Sequence, residues 1–469
     1  MNVMHTRFVS LIAGAAFLLM PVYADAQDVR PGQAYRGLFG PNTVTAKEAL
    51  TVNGAIGAGW DSNLFLAHRD DILLGGVPIV QNAPLSSGTY SQFSGGIGYS
   101  RNGDKLQFDV SESSSARRYP DYPVLASHGA GARLSWTPTK RLSFSSTHQF
   151  VYQPWQTFAS FPALFGLPLR FDQSMAPNQA FASVEGSSRS YVTASSFTTQ
   201  LSRQSSLMAG YSYQLSTYDN SAAFVGPFQW DIFAVGKGRL TNQSGLVRFN
   251  HGLTRNLGWH AGYGYSEARY SGDVRRYRGH TLDVGIDYNR ALSITRRTTF
   301  GFSTGAIAVE QPDQTGGYRR YDVTAQATLN REIGRTWNAS ATYMRNVEYL
   351  ETARVPYFYD GVVLQFQGLM SRRSGFHSAA GATYGDLGID RTSSRRDRFD
   401  TEYANVGFSF GISRHLAVNT DYVFYMYSLN RLGLSLPGAG PRLHRHDVLV
   451  SLSAWMPVFE RGRKSNAAR

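Results

Sequence analysis

The sequence of 469 residues contains no cysteine, has few charged residues (17%) and has only five lysines. The absence of cysteine excludes disulfides, thiolate metal sites and a catalytic thiol. The sequence also lacks any apolar run of the ~20 residues that a spanning helix needs, which excludes a polytopic helical membrane protein. What it has in abundance is glycine (47 residues) and aromatic residues (13%), a composition unusual for a cytosolic enzyme.

The N-terminus has the features of a secretory signal peptide. His5 and Arg7 precede an apolar run from 8 to 20, and Ala24-Asp25-Ala26 matches an A-x-A cleavage site. Such a signal is removed on export, so we expect the mature chain to begin at Gln27.

The net charge is +13, and cleavage leaves it unchanged because it removes one base and one acid. The planar fork of arginine binds phosphate and carboxylate groups, so nucleic acid, lipopolysaccharide phosphates and anionic solutes all have suitable chemistry. Export makes nucleic acid the least suitable of the three, and we expect no nucleic-acid partner.

The mature chain has no convincing helical periodicity, but it has many stretches in which apolar and polar residues strictly alternate. From 320 to 330 one face carries an apolar series and the other a polar series that begins with Arg320 and Asp322, and the same split recurs at 281–289 and 416–427. A period of two predicts strands with one apolar and one polar face. A soluble β-sandwich would show the same pattern.

The connections between the alternating stretches decide between these two folds. Short turns recur at 101–104, 138–141, 203–206, 254–256, 295–297, 332–335, 372–374 and 413–415. They alternate with longer connections near 67–87, 116–127, 153–190, 218–240, 269–277, 310–318, 348–360, 389–397 and 429–442. Barrels in the outer membrane separate short periplasmic turns from long external loops in this way, whereas a sandwich has no reason to do so.

The pattern therefore predicts an all-β protein, a transmembrane antiparallel up-and-down β-barrel of about 18 strands (roughly 16 to 20) in the outer membrane. The first strand is expected near 49–65 and the last near 443–458. The predicted organisation is a signal peptide at 1–26, a periplasmic N-terminal segment at 27–46, the barrel at 47–459 and a periplasmic C-terminal tail at 460–469.

Aromatic residues near the predicted strand ends support a membrane position, because aromatic girdles lie at both membrane interfaces. The intrinsic preference of aromatic residues for strands contributes part of this signal. The expected girdle residues are Trp60, Tyr99, Trp136, Tyr152, Tyr191, Trp259, Tyr265, Trp337, Tyr343, Tyr384 and Trp455.

The whole mature sequence resembles Gram-negative outer-membrane β-barrels of the porin type. A narrower resemblance lies in the first strand, where Gly57-Ala58-Gly59-Trp60-Asp61-Ser62-Asn63-Leu64-Phe65 is similar to the G-x-D-x-N-hydrophobic-aromatic pattern of β-barrel porins associated with exopolysaccharide operons. This resemblance implies a role in extracellular polysaccharide export.

The last predicted strand, 446 to 459, resembles a barrel-assembly signal that ends in an aromatic residue, here Phe459, and it implies the outer-membrane assembly machinery as a partner. The chain departs from that pattern in two ways. Ten residues follow Phe459, and Pro457 interrupts the strand near its end, where proline is better tolerated.

A barrel of this size is wide enough for an aqueous channel, so we expect a pore for passive diffusion or export of small polar solutes or oligosaccharide. Alternation gives a polar inner face with charges of both signs. The expected lining residues are Asp109, Arg133, Arg248, Asp283, Asp287, Arg320, Asp322, Arg345 and Asp421.

The connection at 153–190 is the longest and the least polar. We expect it to fold into the lumen and narrow the pore, since exposed apolar surface of this size is unfavourable in water. The alternative is an external cap packed on other loops. The expected constriction residues are Trp155, Phe158, Phe161, Phe165 and Phe171.

The excess of arginine predicts a weak anion preference if the charges line the pore. The alternative is that pairs such as Arg275-Arg276 and Arg319-Arg320 lie at loop bases and bind lipopolysaccharide phosphates, which makes outer-membrane lipid and lipopolysaccharide expected partners. The sequence leaves open whether the barrels form a homo-oligomer. Small residues such as Gly54, Ala58 and Gly95 are the only hint of a contact between barrels.

Catalytic signatures are weak in this sequence. His444-x-His446 would place two imidazoles on one face without a third ligand, and no G-x-S-x-G or H-E-x-x-H motif occurs. We therefore expect no enzyme, no catalytic or metal residues and no cofactor. Two alternatives to a pore stay open: a barrel-embedded hydrolase, and a structural or receptor barrel plugged by its own loops.

Overall fold

A computed structural model describes residues 46–64, 73–74, 77–78, 86–120, 124–157, 183–220, 236–254, 256–271, 276–291, 298–312, 318–334, 336–349, 355–389, 398–430 and 442–462. Every regular element among them is a strand. No helix in these ranges is long and apolar enough to cross a membrane.

The strands, in chain order, are β1 (Glu48–Leu64), β2 (Leu73–Leu74), β3 (Val77–Pro78), β4 (Ser86–Asn102), β5 (Leu106–Arg118), β6 (Leu125–Thr139), β7 (Leu142–Thr157), β8 (Ser183–Gln200), β9 (Ser205–Asn220), β10 (Gly236–Gly252), β11 (Leu257–Tyr270), β12 (Arg276–Ala291), β13 (Thr298–Gln311), β14 (Tyr318–Ile333), β15 (Trp337–Tyr349), β16 (Pro356–Leu369), β17 (Ser374–Leu387), β18 (Arg398–Gly411), β19 (Leu416–Asn430) and β20 (Arg442–Arg461).

Eighteen of these strands form one closed barrel, while β2 and β3 form a separate two-stranded hairpin. Each barrel strand pairs antiparallel with its neighbours in sequence, and β1 also pairs with β20 to close the sheet. The predicted fold class and the predicted number of strands are both confirmed.

Short turns lie at one end of the barrel and longer connections at the other, as the sequence predicted. One expected connection, 348–360, is shorter than predicted because β16 already begins at Pro356. Another, 116–127, is shorter because β5 continues to Arg118 and β6 begins at Leu125. The predicted turn at 295–297 lies outside the described residues.

Alternate residues of each strand face outwards and form an apolar belt. On β12, Leu282, Val284 and Ile286 are 58%, 60% and 53% exposed although they are apolar, and Val323 on β14 is similarly exposed. In a closed barrel the backbone N–H and C=O groups of the strands are paired with one another, so the wall can lie in hydrocarbon. An exposed apolar belt is favourable there and unfavourable in water. This architecture is that of an outer-membrane barrel, and the predicted location is confirmed.

The expected aromatic girdle is present in part. Trp60, Trp136 and Tyr384 are exposed on the outer face. Trp455 is different: it is buried, pairs with Asn53 and stacks on His415 with ring centroids 5.5 Å apart. Alternation explains the difference, because its neighbour Met456 is the residue that faces outwards.

The end of β20 confirms that Pro457 disturbs the ladder without ending the strand. Leu50 lies opposite Phe459 and Thr51 opposite Pro457, so Val458 bulges out of register. Pairing then continues to Glu48 opposite Arg461. The domain boundaries that the sequence predicts, including the signal peptide, fall largely outside the described residues and stay predictions.

Buried charges of opposite sign connect the strands beside the seam between β1 and β20. Asp61 lies directly opposite Asp447 in the register, so two carboxylates meet at the seam. Arg445 binds Asp61, with its Nε 3.1 Å from both carboxylate oxygens, and Arg117 on β5 binds Asp447 at 2.8 Å. Each carboxylate therefore has its own guanidinium, and the repulsion between the two is offset.

Two tyrosines complete this cluster. Tyr90 donates a hydrogen bond to Asp447 at 2.7 Å, and the guanidinium of Arg117 lies 4.1 Å from the centre of its ring. Tyr119, which follows β5, donates to Asp61 at 3.5 Å. Burial raises the pKa of the Tyr119 phenol, so this group stays a neutral donor at physiological pH.

The ring of Tyr90 needs a residue without a side chain at position 59. A Cβ at Gly59 would lie 2.4 Å from Cζ of Tyr90 and 2.5 Å from the carbonyl oxygen of Val448. The first-strand motif therefore has a structural role: its glycine leaves space for Tyr90, and its aspartate binds Arg445.

We predict that Gly59→Ala destabilises the folded barrel by about 1 to 3 kcal/mol, because the added methyl group overlaps a buried ring and backbone. The measurement is a urea titration of the folded fraction by heat-modifiable gel mobility. Gly54→Ala is the control on the same strand, since its Cβ would lie 3.5 Å from the nearest atom. Equal midpoints for the two variants would contradict the prediction.

Candidate functional site in the barrel lumen

The pairing between β14 and β15 stops halfway along the wall. Its register runs from Ile333 opposite Trp337 only as far as Ala325 opposite Arg345. Beyond that point β14 remains paired with β13, and β15 remains paired with β16. The wall is therefore split between β14 and β15 at the long-loop end.

Beyond the split, β15 to β17 turn into the barrel. Alternation assigns Tyr349 to the outer face of β15, like Ala341, whose partner Leu364 is exposed. The ring of Tyr349 nevertheless lies 6.2 Å from the ring of Tyr277, on the inner face of β12. We call residues 346–349, 356–360 and 384–389 the inturned segment.

An apolar cluster holds the inturned segment against the opposite strands. The inner faces of β10, β12 and β13 contribute Leu240, Tyr277 and Val309, and the inturned segment contributes Tyr349, Phe358 and Ile389. All six are buried. Full burial of such a side chain is worth roughly 1.5 to 3 kcal/mol, so the cluster stabilises the inturned position.

Arg320 connects the inner face of β14 to the inturned segment. Its guanidinium lies 3.6 Å from the centre of the Phe358 ring, donates to the carbonyl oxygen of Gly388 at 3.2 Å and lies 3.5 Å from Asp386. It also binds Asp322 on its own strand at 3.2 Å. Because the Arg320 side chain is only 6% exposed, these contacts replace its hydration.

A second, more open ion pair lies at the split. Arg345 binds Asp322 at 2.8 Å and lies 3.6 Å from Asp360, which accepts a hydrogen bond of 2.6 Å from Tyr343. Arg345 and Asp360 are about two-fifths exposed (40% and 43%), whereas Asp322 is 8% exposed. The buried carboxylate anchors the arginine. Asp360 pairs with Tyr384, which is exposed on the outer face, so this ion pair joins the inner face of β14 to the outward side of β15 and β16.

These residues border a cavity of about 200 Å³ that also reaches Tyr384 and Arg398. We call the charged residues around it the charged constriction: Arg320, Asp322, Arg345, Asp360, Asp386 and Arg398. Three cations and three anions therefore surround one cavity.

Asp283 and Asp421 each contact a basic or imidazole side chain deeper on the inner face. Asp283 on β12 contacts Arg248 on β10 at 3.4 Å and the buried His260 on β11 at 3.1 Å. On the other side of the barrel, His377 on β17 lies 3.3 Å from Asp421 on β19. Carboxylates in contact with arginine or histidine side chains therefore lie at several points around the inner face.

Most of the expected lining residues lie on this inner face. Arg133 is opposite Thr147 and has Asp109 across the strand pair, while Arg248, Asp283 and Asp421 form the deeper ion pairs. Arg320 and Asp322 lie in the charged constriction. The side chain of Asp287 is outside the described residues.

The expected constriction by the connection at 153–190 is not tested by the structure. Trp155 belongs to β7, but its side chain lies outside the described residues, as do Phe158, Phe161, Phe165 and Phe171. The prediction that they narrow the pore stays a prediction.

Sequence reasoning did not find Asp360, Asp386 or the inturned segment. A local signal was present: Pro356, Tyr357, Phe358 and Tyr359 are four successive apolar residues, and all four are buried. A strand with lipid on one side and water on the other alternates, whereas a strand covered on both faces does not. The break in alternation marks the strand that lies inside the barrel.

No family model and no curated protein sequence matches this chain. Among solved structures the chain is similar to OpdL of Pseudomonas aeruginosa (11% identity, 88% of this chain and 99% of that chain, TM-score 0.39). It is also similar to OccAB4 of Acinetobacter baumannii (9%, 89% and 100%, 0.41) and to the alcaligin outer-membrane receptor FauA of Bordetella pertussis (10%, 88% and 76%, 0.39). At these TM-scores the likeness adds nothing to the barrel's own geometry.

We predict that Asp322→Asn destabilises the protein by about 3 to 5 kcal/mol, because it removes a carboxylate from a buried arginine. Asp360→Asn is the matched control: its carboxylate also faces Arg345 but is 43% exposed, so the expected loss is under about 1 kcal/mol. Thermal unfolding followed by heat-modifiable mobility measures both. A loss for Asp360→Asn as large as that for Asp322→Asn would show that burial does not set the effect.

Proposed function

We propose that the protein is an outer-membrane pore for passive passage of small polar solutes, with the inturned segment and the charged constriction narrowing its outer end. The observation that carries this proposal is the inner face of the eighteen-stranded barrel, which holds charged and polar side chains outside the apolar cluster described above. Barrels of this strand number leave an aqueous channel unless a domain or loop fills it.

The proposed pore selects by charge and by size. Arg345 and Asp360 expose part of their charge at the constriction, and a passing solute exchanges hydration for contacts with these groups. Solutes with both a positive and a negative group, and neutral polar solutes such as sugars, suit a site with both signs.

Export of extracellular polysaccharide is the finer form of this proposal. Its support is the resemblance of the first-strand motif, of which Gly59 and Asp61 have structural roles at the seam. These structural roles account for the motif without any contact to a sugar. The resemblance therefore indicates the class of barrel more than it indicates the transported solute. Block of the current by oligosaccharides would favour this form.

A plugged structural or receptor barrel is the second candidate. The observation in its favour is the inturned segment, which occupies part of the lumen and is held there by the apolar cluster. A plugged barrel and a narrow pore differ in one measurable property, the passage of ions.

We predict that the refolded mature protein (27–469) gives discrete current steps in a planar bilayer. Deletion of residues 155–171 is expected to increase the step size if that connection narrows the pore, as the sequence predicts. Heat-modifiable mobility confirms that each protein is folded. No steps from either folded protein would overturn the pore and favour the plugged barrel or a barrel-embedded hydrolase.

We predict a weak anion preference for the wild type, measured as the reversal potential in a salt gradient, because the chain has an excess of arginine. Arg345→Gln is expected to shift the potential towards cations, and Asp360→Asn to shift it towards anions. The two variants are a matched pair, since they remove opposite charges from one exposed ion pair. Cation selectivity in the wild type would contradict the anion preference, and two unchanged potentials would place the ion pair outside the conduction path.

A further inference from the structure

Four arginines lie together on the outer face of the barrel, at the long-loop end of β11 to β14. Arg269 lies opposite Arg276, and Arg278 lies between two carboxylates, Glu267 and Glu310, in the register. Arg319 follows as the partner of Glu310 on β14. We call Arg269, Arg276, Arg278 and Arg319 the rim arginines.

The rim arginines stand directly above the apolar belt. The next outward residue of β12 after Arg278 is His280, and it is followed by Leu282, which is exposed to the membrane. Tyr263 binds His280 at 2.7 Å, and the rings of Tyr265 and His280 are 5.3 Å apart. This order, an apolar layer, then amphipathic rings, then cations, follows the order of acyl chains, interface and headgroups in a lipid leaflet.

The two carboxylates hold three of the four guanidiniums in place. Glu267 binds Arg269 and also binds Arg276 at 2.5 Å, and it accepts a hydrogen bond from Tyr265 at 3.1 Å. Glu310 binds Arg319 at 2.6 Å. Glu267 is almost completely buried under its partners, so the arginines form the outer surface of the cluster.

Arg278 is different from the other three. It lies opposite both carboxylates, yet it forms no ion pair with any residue that the structure describes. Among the residues that the structure describes, this cluster of four guanidiniums therefore contains two carboxylates. An anion with two negative groups would complete it.

We infer that the rim arginines are a binding site for the phosphate groups of a phosphorylated glycolipid in the outer leaflet. Arginine binds phosphate through two parallel N–H donors, and the flanking carboxylates fix the direction of those donors. The apolar belt below the site contacts the acyl chains of the same molecule. A lipid headgroup gains both contacts, whereas a free phosphate gains only the first.

This site is on the outer surface and is separate from the conduction path, so it goes beyond the proposed pore function. It depends on the outer-membrane location of the barrel. Under this inference, the arginines at the loop bases 275–276 and 319–320 have two different roles. Arg276 and Arg319 face the lipid, whereas Arg320 turns inwards to the charged constriction.

The test compares three probes on the folded, detergent-solubilised mature protein: diphosphorylated lipid A, its dephosphorylated form, and inorganic phosphate. Native mass spectrometry measures the bound lipid, and heat-modifiable mobility measures the unfolding temperature. We expect diphosphorylated lipid A to bind and to raise the unfolding temperature, and the other two probes to do neither at the same concentration.

The variant Arg278→Gln/Arg319→Gln removes two of the rim arginines and is expected to weaken binding of diphosphorylated lipid A at least about tenfold. Arg331→Gln/Arg414→Gln removes the same charge at the short-turn end and is expected to bind as the wild type. Should the first double variant fail to fold, Arg278→Gln alone replaces it, because Arg278 holds no described partner in place.

Equal binding of the dephosphorylated lipid, or wild-type binding by a folded rim variant, would overturn the inference. Equal stabilisation by inorganic phosphate would assign the site to soluble anions instead of lipid. Conductance of the rim variant separates this result from the pore proposal. A variant that loses lipid binding but keeps its current steps would show that lipid binding and ion conduction are independent.

Discussion

Closure of the sheet by β1 and β20 is the constraint on which the rest of this structure depends. Within hydrocarbon, a strand edge has no water to bind its N–H and C=O groups, and each unpaired group costs several kcal/mol. The first and last strands must therefore meet in register. The register that they adopt brings Asp61 and Asp447 together, and the arginines and tyrosines around them follow from the need to neutralise that contact.

Other ion pairs of the barrel wall also place opposite charges in contact, and these pairs differ in how far their side chains are buried. At the seam and around Arg320 the charges are covered, and their contacts join strands that are distant in sequence. At Arg345 and Asp360 the charges remain in contact with solvent. The covered pairs join strands of the wall, whereas the open pair keeps part of its hydration and contributes less to stability.

Alternation predicted the barrel well because it is a local property that the membrane imposes on every strand. The stretch 320–330 lies in β14 with its predicted faces, and the short turns within the described residues lie where the sequence placed them. The inturned segment could not be predicted in this way. Alternation correctly assigns Tyr349 and Phe358 to one side of their strands, but whether that side meets lipid or the inner wall depends on where β14 and β15 stop pairing.

Because β14 and β15 stop pairing partway along the wall, the number of strands alone does not set the width of the opening. In a regular barrel the diameter follows from strand number and shear, so a wider or narrower pore requires adding or removing hairpins. Here the wall itself bends into the lumen above Ala325 and Arg345. The mouth can therefore change width through the side chains that pack the bend, while the belt in contact with the membrane keeps all eighteen strands and its full circumference.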